Sequence, residues 1–203
     1  KKYCQITPVI IDEKIIIATY EPSIETYDLN SGKLLWRFYL KEKSDKYFRY
    51  GGKRYDYSGG NPWGGISADV DRKILYVSTG NAGRFYEGTT RPGSNKYSNS
   101  LLAIDIDNEK LLWEFQEISH DIWNYDIASP PILTSIKKEG KIIDVVVAPT
   151  KFGNTIVLDR KTGNNIFEYI NIKVPLSEVP GEKTSPYQKI FSLPEPFSNQ
   201  FFQ

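Results

Sequence analysis

The sequence predicts an all-β fold. Its 203 residues include 14 Tyr, 15 Gly and 12 Pro, and aromatic residues make up 14% of the chain. Aromatic side chains favour strands, whereas Gly and Pro favour the turns between them. No window carries the apolar spacing of i, i+3, i+4 and i+7 that predicts an amphipathic helix.

Short β-branched runs bounded by Asp, Gly, Asn or Pro predict the individual strands. They are Lys14–Tyr20, Lys73–Thr79, Leu101–Ile106 and Lys141–Pro149. Each run ends at a turn residue before it reaches the length of a typical helix, so we expect strands.

A hairpin pattern occurs three times without gaps, at Tyr27–Trp36, Ile104–Trp113 and Leu158–Phe167. Each copy has a strand ending in Asp, a polar turn, and a second strand with a large aromatic residue eight positions after the Asp. Asp, Asn and Gly accept tight-turn geometry, and the aromatic residue can pack one repeat onto the next.

Two further strand-like runs precede each hairpin. They are Ile6–Ile10 and Lys14–Tyr20, Gly64–Val70 and Lys73–Thr79, and Ala128–Leu133 and Lys141–Pro149. Four strands per repeat with an aromatic contact between repeats is typical of the blades of a β-propeller.

The repeats predict a single partial propeller domain over residues 1–203, with blades at about 5–40, 62–116 and 127–170. A closed propeller typically has about four to eight blades, so three blades form an arc. The Pro-rich residues 171–203 are expected to form an extended connection to a missing blade. The chain contains no Met, so we expect a fragment or a processed chain.

Composition excludes several function classes. The 26 Lys and Arg nearly balance 25 Asp and Glu, which gives no long-range attraction to nucleic acid. No apolar run approaches the roughly 20 residues of a membrane span. A single cysteine, Cys4, and a single histidine exclude a thiolate or imidazole zinc site and a Cys-x-x-Cys-His haem attachment.

The basic, aromatic stretch Lys41–Arg54 also contains acidic residues, and we interpret it as a solvated insertion between blades.

An ordered set of motifs resembles the pyrroloquinoline-quinone (PQQ) dependent dehydrogenases. The motifs are Asn61–Gly65, Ser78–Asn81, Arg91–Gly93, His120–Asp126, Ala148–Asn154 and Val174–Pro186. The three hairpins are similar to the tryptophan-docking motif of that family. The resemblance implies an eight-bladed quinoprotein propeller, closer to the glucose-dehydrogenase branch, that oxidises alcohols or sugars in the periplasm.

The resemblance assigns roles to three residues. Trp63 stands where the family stacks an indole beneath PQQ, and the alternative interpretation is a core aromatic. Asn81 stands where the family has an amide ligand for Ca²⁺ or another divalent or lanthanide cation, although Asn also suits a turn. Lys151 matches the cation that hydrogen-bonds the quinone oxygens, although most single lysines are surface residues.

Asn124 departs from the family pattern. The family has an aspartate after Trp123, taken to be the general base that removes the substrate hydroxyl proton, and a neutral amide cannot accept that proton. Asp126 is the nearest carboxylate and would share a face with Asn124 in an extended segment. His120 and Asp121 are expected to form a structural turn, with the histidine hydrogen-bonded.

Two functions follow from these observations. The first is an oxidoreductase that transfers reducing equivalents from an alcohol or sugar hydroxyl to PQQ, and then to a cytochrome or quinone. The alternative is a non-catalytic PQQ-repeat propeller that serves as an outer-membrane-assembly or binding scaffold. Trp63, Asn81 and Lys151 favour the enzyme, and Asn124 favours the scaffold or a decayed enzyme.

Overall fold

The computed structural model describes residues 6–41, 48–50, 53–55 and 59–198, so Cys4 lies outside the described part. Within these ranges the secondary structure consists of strands and turns, and no helix is present that could cross a membrane. The predicted all-β class is confirmed.

The first two sheets each have four antiparallel strands arranged in chain order. The first sheet contains β1 (Val9–Ile11), β2 (Lys14–Thr19), β3 (Ser23–Asp28) and β4 (Leu34–Tyr39). The insertion that follows contains the hairpin of β5 (Phe48–Tyr50) and β6 (Lys53–Tyr55). The second sheet contains β7 (Gly65–Asp69), β8 (Ile74–Ser78), β9 (Ser100–Asp105) and β10 (Leu111–Gln116).

The third sheet has three strands, β11 (Ile132–Lys138), β12 (Lys141–Pro149) and β13 (Thr155–Asp159). The fourth strand expected before Phe167 is reduced to one bridge between Leu158 and Asn165. Two consecutive Asn residues are poor strand formers. The Lys138 ammonium donates to the Ile166 carbonyl and lies over the Phe167 ring, while the Ile166 nitrogen still donates to the Val157 carbonyl of β13 at 3.0 Å.

A hairpin replaces part of the extended connection expected after residue 171. Strand β14 (Tyr169–Lys173) pairs with β15 (Tyr187–Phe191). Phe191 is buried, and its ring contacts Phe115 of the second sheet at a centroid distance of 6.1 Å. The hairpin is therefore held by apolar contacts with a sheet far away in sequence.

Tryptophan side chains connect successive sheets. The Trp36 indole nitrogen donates to the Ile106 carbonyl of the second sheet at 2.9 Å. The Trp113 indole nitrogen donates to the Arg160 carbonyl of the third sheet at 3.3 Å. Both acceptors directly follow the turn aspartates Asp105 and Asp159, so each hairpin contacts the same position of the next repeat. This is the stacking expected of propeller blades.

The second sheet is buried on both faces because alternate residues of a strand point to opposite sides. Leu75 and Val77 of β8 belong to the apolar core shared with the first sheet. Ile74 and Tyr76 of the same strand belong to the core shared with the third sheet. The near-continuous apolar runs in the sequence are explained by this double burial.

Strand pairing brings several loops to one edge of the second and third sheets. Gly65 pairs with Ser78, and Ser78 pairs with Leu101, so the start of β7, the end of β8 and the start of β9 lie together. In the third sheet Pro149 pairs with Thr155, which places the β12–β13 turn at a sheet edge. These loops carry the residues selected from the sequence.

Candidate functional site

Asp126 connects three of the four other residues selected from the sequence. Its Oδ1 accepts a hydrogen bond from the Asn81 backbone nitrogen at 2.7 Å and one from the Trp63 indole nitrogen at 3.4 Å. Its Oδ2 forms an ion pair with the Lys151 ammonium at 2.7 Å. The Asp126 side chain is 6% exposed, so the carboxylate is enclosed by its partners.

Trp63 presents an open aromatic surface beside this carboxylate. The residue is 41% exposed, which is unusual for tryptophan unless a ligand or another chain segment covers it. A Cβ added to Gly80 would lie 2.5 Å from the Trp63 indole nitrogen and 2.4 Å from Asp126 Oδ1. The glycine therefore allows the indole and the carboxylate to approach each other.

Asn81 contributes a neutral oxygen to this cluster that suits a cation. Its side-chain nitrogen donates to the Phe85 carbonyl at 3.0 Å, which fixes the orientation of the amide. Its Oδ1 is buried and has no hydrogen-bond partner in the described part of the chain. A buried carbonyl oxygen without a donor is costly unless a ligand satisfies it.

Lys151 lies on a tight turn between β12 and β13. The Thr150 nitrogen donates to the Asn154 carbonyl at 2.9 Å, and Gly153 takes a left-handed φ of +91°. The Lys151 backbone nitrogen donates to the Asp126 carbonyl at 3.1 Å, so both ends of the lysine contact the same residue. Its side chain is 39% exposed and can face a ligand while it stays paired.

Asn124 lies outside this cluster of contacts. It has a left-handed φ of +63°, so the segment is not extended and the expected shared face with Asp126 does not occur. Among the described residues, its half-buried side chain makes no hydrogen bond. Asp121 fixes the loop instead: its carboxylate accepts from the Trp123 nitrogen at 2.7 Å and the Tyr125 nitrogen at 2.6 Å. The structural role predicted for Asp121 is confirmed.

His120 is only partly hydrogen-bonded, in contrast to our expectation. Its Nδ1 lies 2.6 Å from the Gly93 carbonyl, but its Nε2 is buried without a partner in the described residues. Burial lowers the pKa of the imidazole, which favours the neutral ring. A single sequence carries no signal for this detail, because tertiary packing sets the surroundings of both ring nitrogens.

Two residues of the site were given no individual role by sequence reasoning, although Gly80 belongs to the Ser78–Asn81 motif. Gly80 could have been found, because it stands between the strand end and Asn81 where close backbone approach is common. Glu117 is a buried acid beyond the end of β10, and its partners Thr150 and Asn154 lie more than thirty residues away. No local pattern indicates such a contact.

A family model decides the classification. The PQQ model, described as the glucose/ethanol/alcohol dehydrogenase β-propeller domain, matches residues 5–203. The chain belongs to this family. The resemblance based on the site motifs is thereby confirmed.

Members of the PQQ family from several bacteria are similar to the chain. Quinoprotein glucose dehydrogenase A of Acinetobacter calcoaceticus is 34% identical over 183 residues, which cover 88% of this chain and 23% of that protein. The glycerol dehydrogenase large subunit of Gluconobacter thailandicus is 33% identical over 168 residues, 81% of this chain and 23% of that protein. The chain thus spans less than a quarter of the length of these relatives.

Solved structures of the family share the fold. The quinohemoprotein alcohol dehydrogenase of Comamonas testosteroni has a TM-score of 0.66 and 27% identity, over 91% of this chain and 30% of that one. A europium-containing methanol dehydrogenase has a TM-score of 0.67 and 26% identity, over 85% of this chain and 35% of that one. Together with the stacked sheets, these matches confirm that the chain is part of a PQQ-type propeller.

Proposed function

We propose that the chain is part of a quinoprotein oxidoreductase that oxidises the hydroxyl group of an alcohol or a sugar with PQQ as the electron acceptor. One observation carries the proposal: Trp63, Asn81 and Lys151 converge on Asp126. The exposed indole, the unpartnered amide oxygen and the exposed ammonium give this cluster three distinct ways to contact a ligand.

Trp63 and Lys151 suit a flat, anionic cofactor. The indole offers a stacking surface, and its nitrogen is anchored on Asp126 so that the ring is held in place. The Lys151 ammonium would stabilise negative charge on the oxygens of a bound quinone. When bound, PQQ would supply the two-electron oxidation that no side chain of the protein can perform.

Asn81 Oδ1 suits a hard cation such as Ca²⁺, which prefers neutral and anionic oxygen ligands. The described residues contain no group of three or more His, Cys, Asp or Glu side chains that could hold a metal by themselves. Asn81 would therefore share the cation with ligands from the cofactor and from the rest of the protein. A divalent or lanthanide ion there would polarise the quinone.

We propose that Asp126 takes the role of general base that Asn124 cannot perform. Asp126 Oδ2 has the Lys151 ammonium as its partner, and a carboxylate oxygen has a second lone pair for a substrate hydroxyl proton. The Asn81 and Trp63 hydrogen bonds to Oδ1 would hold the carboxylate in position during that transfer.

The family names suggest the substrate class and the electron acceptor. The relatives named glucose dehydrogenase and glycerol dehydrogenase favour a sugar or polyol hydroxyl for this chain. The quinohemoprotein among the solved structures favours a cytochrome or quinone as the next electron acceptor. We also propose a periplasmic location, in keeping with this family of bacterial dehydrogenases.

Calorimetric titration of PQQ into the intact protein, with and without Ca²⁺, tests this function. Lys151→Met should weaken PQQ binding, whereas the control Lys161→Met, at an exposed turn position, should not. Asn81→Ala should weaken the Ca²⁺ dependence, and the exposed Asn171→Ala should leave it unchanged. Dye reduction with glucose, glycerol or ethanol would support the enzyme. An intact protein that fails to bind PQQ would overturn the proposal in favour of the scaffold.

A further inference from the structure

A buried glutamate, Glu117, accepts hydrogen bonds from the turn that carries Lys151. Glu117 is 1% exposed, and its backbone nitrogen donates to the Asn99 carbonyl at 2.9 Å. Its Oε1 accepts hydrogen bonds from Thr150 Oγ1 at 2.9 Å and from Asn154 Nδ2 at 2.8 Å. These two donors are the first and last residues of the turn, so one oxygen fixes both ends.

The second oxygen of Glu117 is unsatisfied. Oε2 is buried without a hydrogen-bond partner in the described residues. Two charged side chains act on Glu117 from other elements, Asp121 in the loop beyond β10 and Lys189 on β15. The Lys189 ammonium lies over the rings of Phe115 and Tyr169, at 5.6 and 5.7 Å from their centroids, rather than in an ion pair with Glu117.

We propose that Glu117 is a positioning residue that holds the Lys151 turn in place when it is neutral and loosens the turn when it is ionised. The inference rests on the proposed function, because it assigns Lys151 to the cofactor site. Among the described residues, Glu117 makes no hydrogen bond to Lys151 or to Asn81, and it acts through Thr150 and Asn154.

The direction follows from the burial of the carboxyl group. Burial raises the pKa of Glu117 to about 7, and repulsion from Asp121 adds to the effect, while the Asn154 and Thr150 hydrogen bonds and Lys189 oppose it. An ionised carboxylate gains more from water than a neutral one does. Ionisation therefore favours a state in which the turn opens and water reaches Glu117, so the turn should loosen as the pH rises through about 7.

Hydrogen exchange of the cofactor-free intact protein tests this directly. The amides of Thr150, Lys151 and Gly153 should lose about tenfold of their protection between pH 6 and pH 8, after correction for intrinsic exchange rates, because Glu117 loses its proton near pH 7 in the closed turn but is already ionised at pH 6 in the open, solvated turn. Glu117→Gln keeps an accepting oxygen without the charge, so its protection should stay constant. The control Glu178→Gln, at an exposed position, should behave as the wild type.

Two further measurements complete the test. In the intact protein, PQQ affinity should fall over the same pH range in the wild type but not in Glu117→Gln. Thr150→Val removes one donor and should lower turn protection at pH 6. Equal pH responses of the wild type and Glu117→Gln, or unchanged protection in Thr150→Val, would overturn the inference. Absence of PQQ binding with the expected exchange pattern would instead refute the proposed function and leave the role of Glu117 intact.

Discussion

At the scale of single residues, Asp126 orders the candidate site. It is linked to Trp63, Asn81 and Lys151, which come from three separate loops. A buried carboxylate is stable only when charged or polar donors surround it, so these contacts depend on one another. Removing the Asp126 carboxylate should therefore disturb the positions of both the Trp63 indole and the Lys151 ammonium.

The two candidate bases respond differently to substitution. Asp126→Asn should lower turnover by about 10²- to 10⁴-fold, the usual contribution of a positioned base, and should weaken PQQ binding because Lys151 loses its partner. Asn124→Asp should change little, because among the described residues the Asn124 side chain makes no hydrogen bond to the cluster. Steady-state kinetics of the reconstituted intact protein measures both.

The exposed Asp71→Asn serves as the control for loss of a carboxylate and should keep full turnover. An increase of turnover in Asn124→Asp by the same range would instead assign the base to position 124. A robust wild-type rate that neither substitution alters would remove residues 121–126 from the active site.

Glu117 should give the protein a measurable pH dependence of stability. Its pKa in the folded protein is raised to about 7 from the ordinary value of 4.5. The folded state therefore holds the proton more tightly, and the free energy of unfolding falls as the pH rises from about 4.5 through 7. The contribution of Glu117 to this loss should be about 3 kcal/mol, so the wild type should lose that much more stability than Glu117→Gln over the same pH range. Urea denaturation at pH 5 and pH 8 measures the difference, with Glu178→Gln expected to match the wild type.

The sequence predicted some residues of the candidate site but not the contacts between them. Trp63, Asn81 and Lys151 were found because each is part of a motif that resembles the family. The hydrogen bonds that link Asp126 to Trp63 and Lys151 were not predicted, because these partners lie in loops far away in sequence. The shared face of Asn124 and Asp126, which would require an extended segment, does not form because Asp121 accepts hydrogen bonds from the Trp123 and Tyr125 nitrogens and bends the loop.

At the scale of elements, the three Asp turns share one geometry. Asp28, Asp105 and Asp159 each accept hydrogen bonds from turn nitrogens that follow them. The fifth residue of each turn is left-handed, with φ of +68° at Gly32, +57° at Glu109 and +73° at Gly163. The hairpin positions were predictable because this turn chemistry is local.

Two of these glycines allow a matched test. An alanine Cβ at Gly32 would meet nothing within 4 Å, whereas at Gly163 it would lie 2.6 to 2.9 Å from the Trp113 ring. Gly32→Ala should cost about 1 kcal/mol from backbone strain alone. Gly163→Ala should cost about 2 to 4 kcal/mol, because the partly buried Trp113 ring must also move. Thermal unfolding of the intact protein measures both, and equal losses would contradict the packing of Trp113 against this turn.

Non-local pairing limited the prediction of elements. At the segment expected to form the fourth strand of the third sheet, Lys138 contacts Ile166 and Phe167 from another strand. The β14–β15 hairpin depends on Phe191 and Phe115, which are distant in sequence. Neither contact has a signature in the local alternation of residues from which strands are predicted.

At the scale of the whole molecule, the two interfaces between sheets are stabilised by the same kinds of contact. Each has an apolar core and one tryptophan whose indole nitrogen reaches the next repeat. The second sheet takes part in both interfaces, while the outer sheets leave apolar residues such as Ile10 and Ile132 more than half exposed. We infer that these outer faces are covered by further blades in the intact propeller.

The two interfaces differ in the number of donors to the carbonyl that the tryptophan indole contacts. Within the described residues, the Ile106 carbonyl has Trp36 as its only donor, whereas the Arg160 carbonyl also accepts from the Tyr76 hydroxyl at 2.8 Å. Trp36→Phe leaves a buried carbonyl unsatisfied and should cost about 2 to 3 kcal/mol, including the lost ring volume. Trp113→Phe leaves the acceptor satisfied and should cost about 1 kcal/mol less.

The two losses should add, because the tryptophans lie in different interfaces and share no partner. Equilibrium urea denaturation of the single and double variants of the intact protein measures this, with Tyr187→Phe at an exposed position of β15 as the control. A coupling larger than about 0.5 kcal/mol would mean that the second sheet transmits strain between its two faces. Additive losses would mean that each interface is stabilised independently, as expected of repeats that contact only their neighbours.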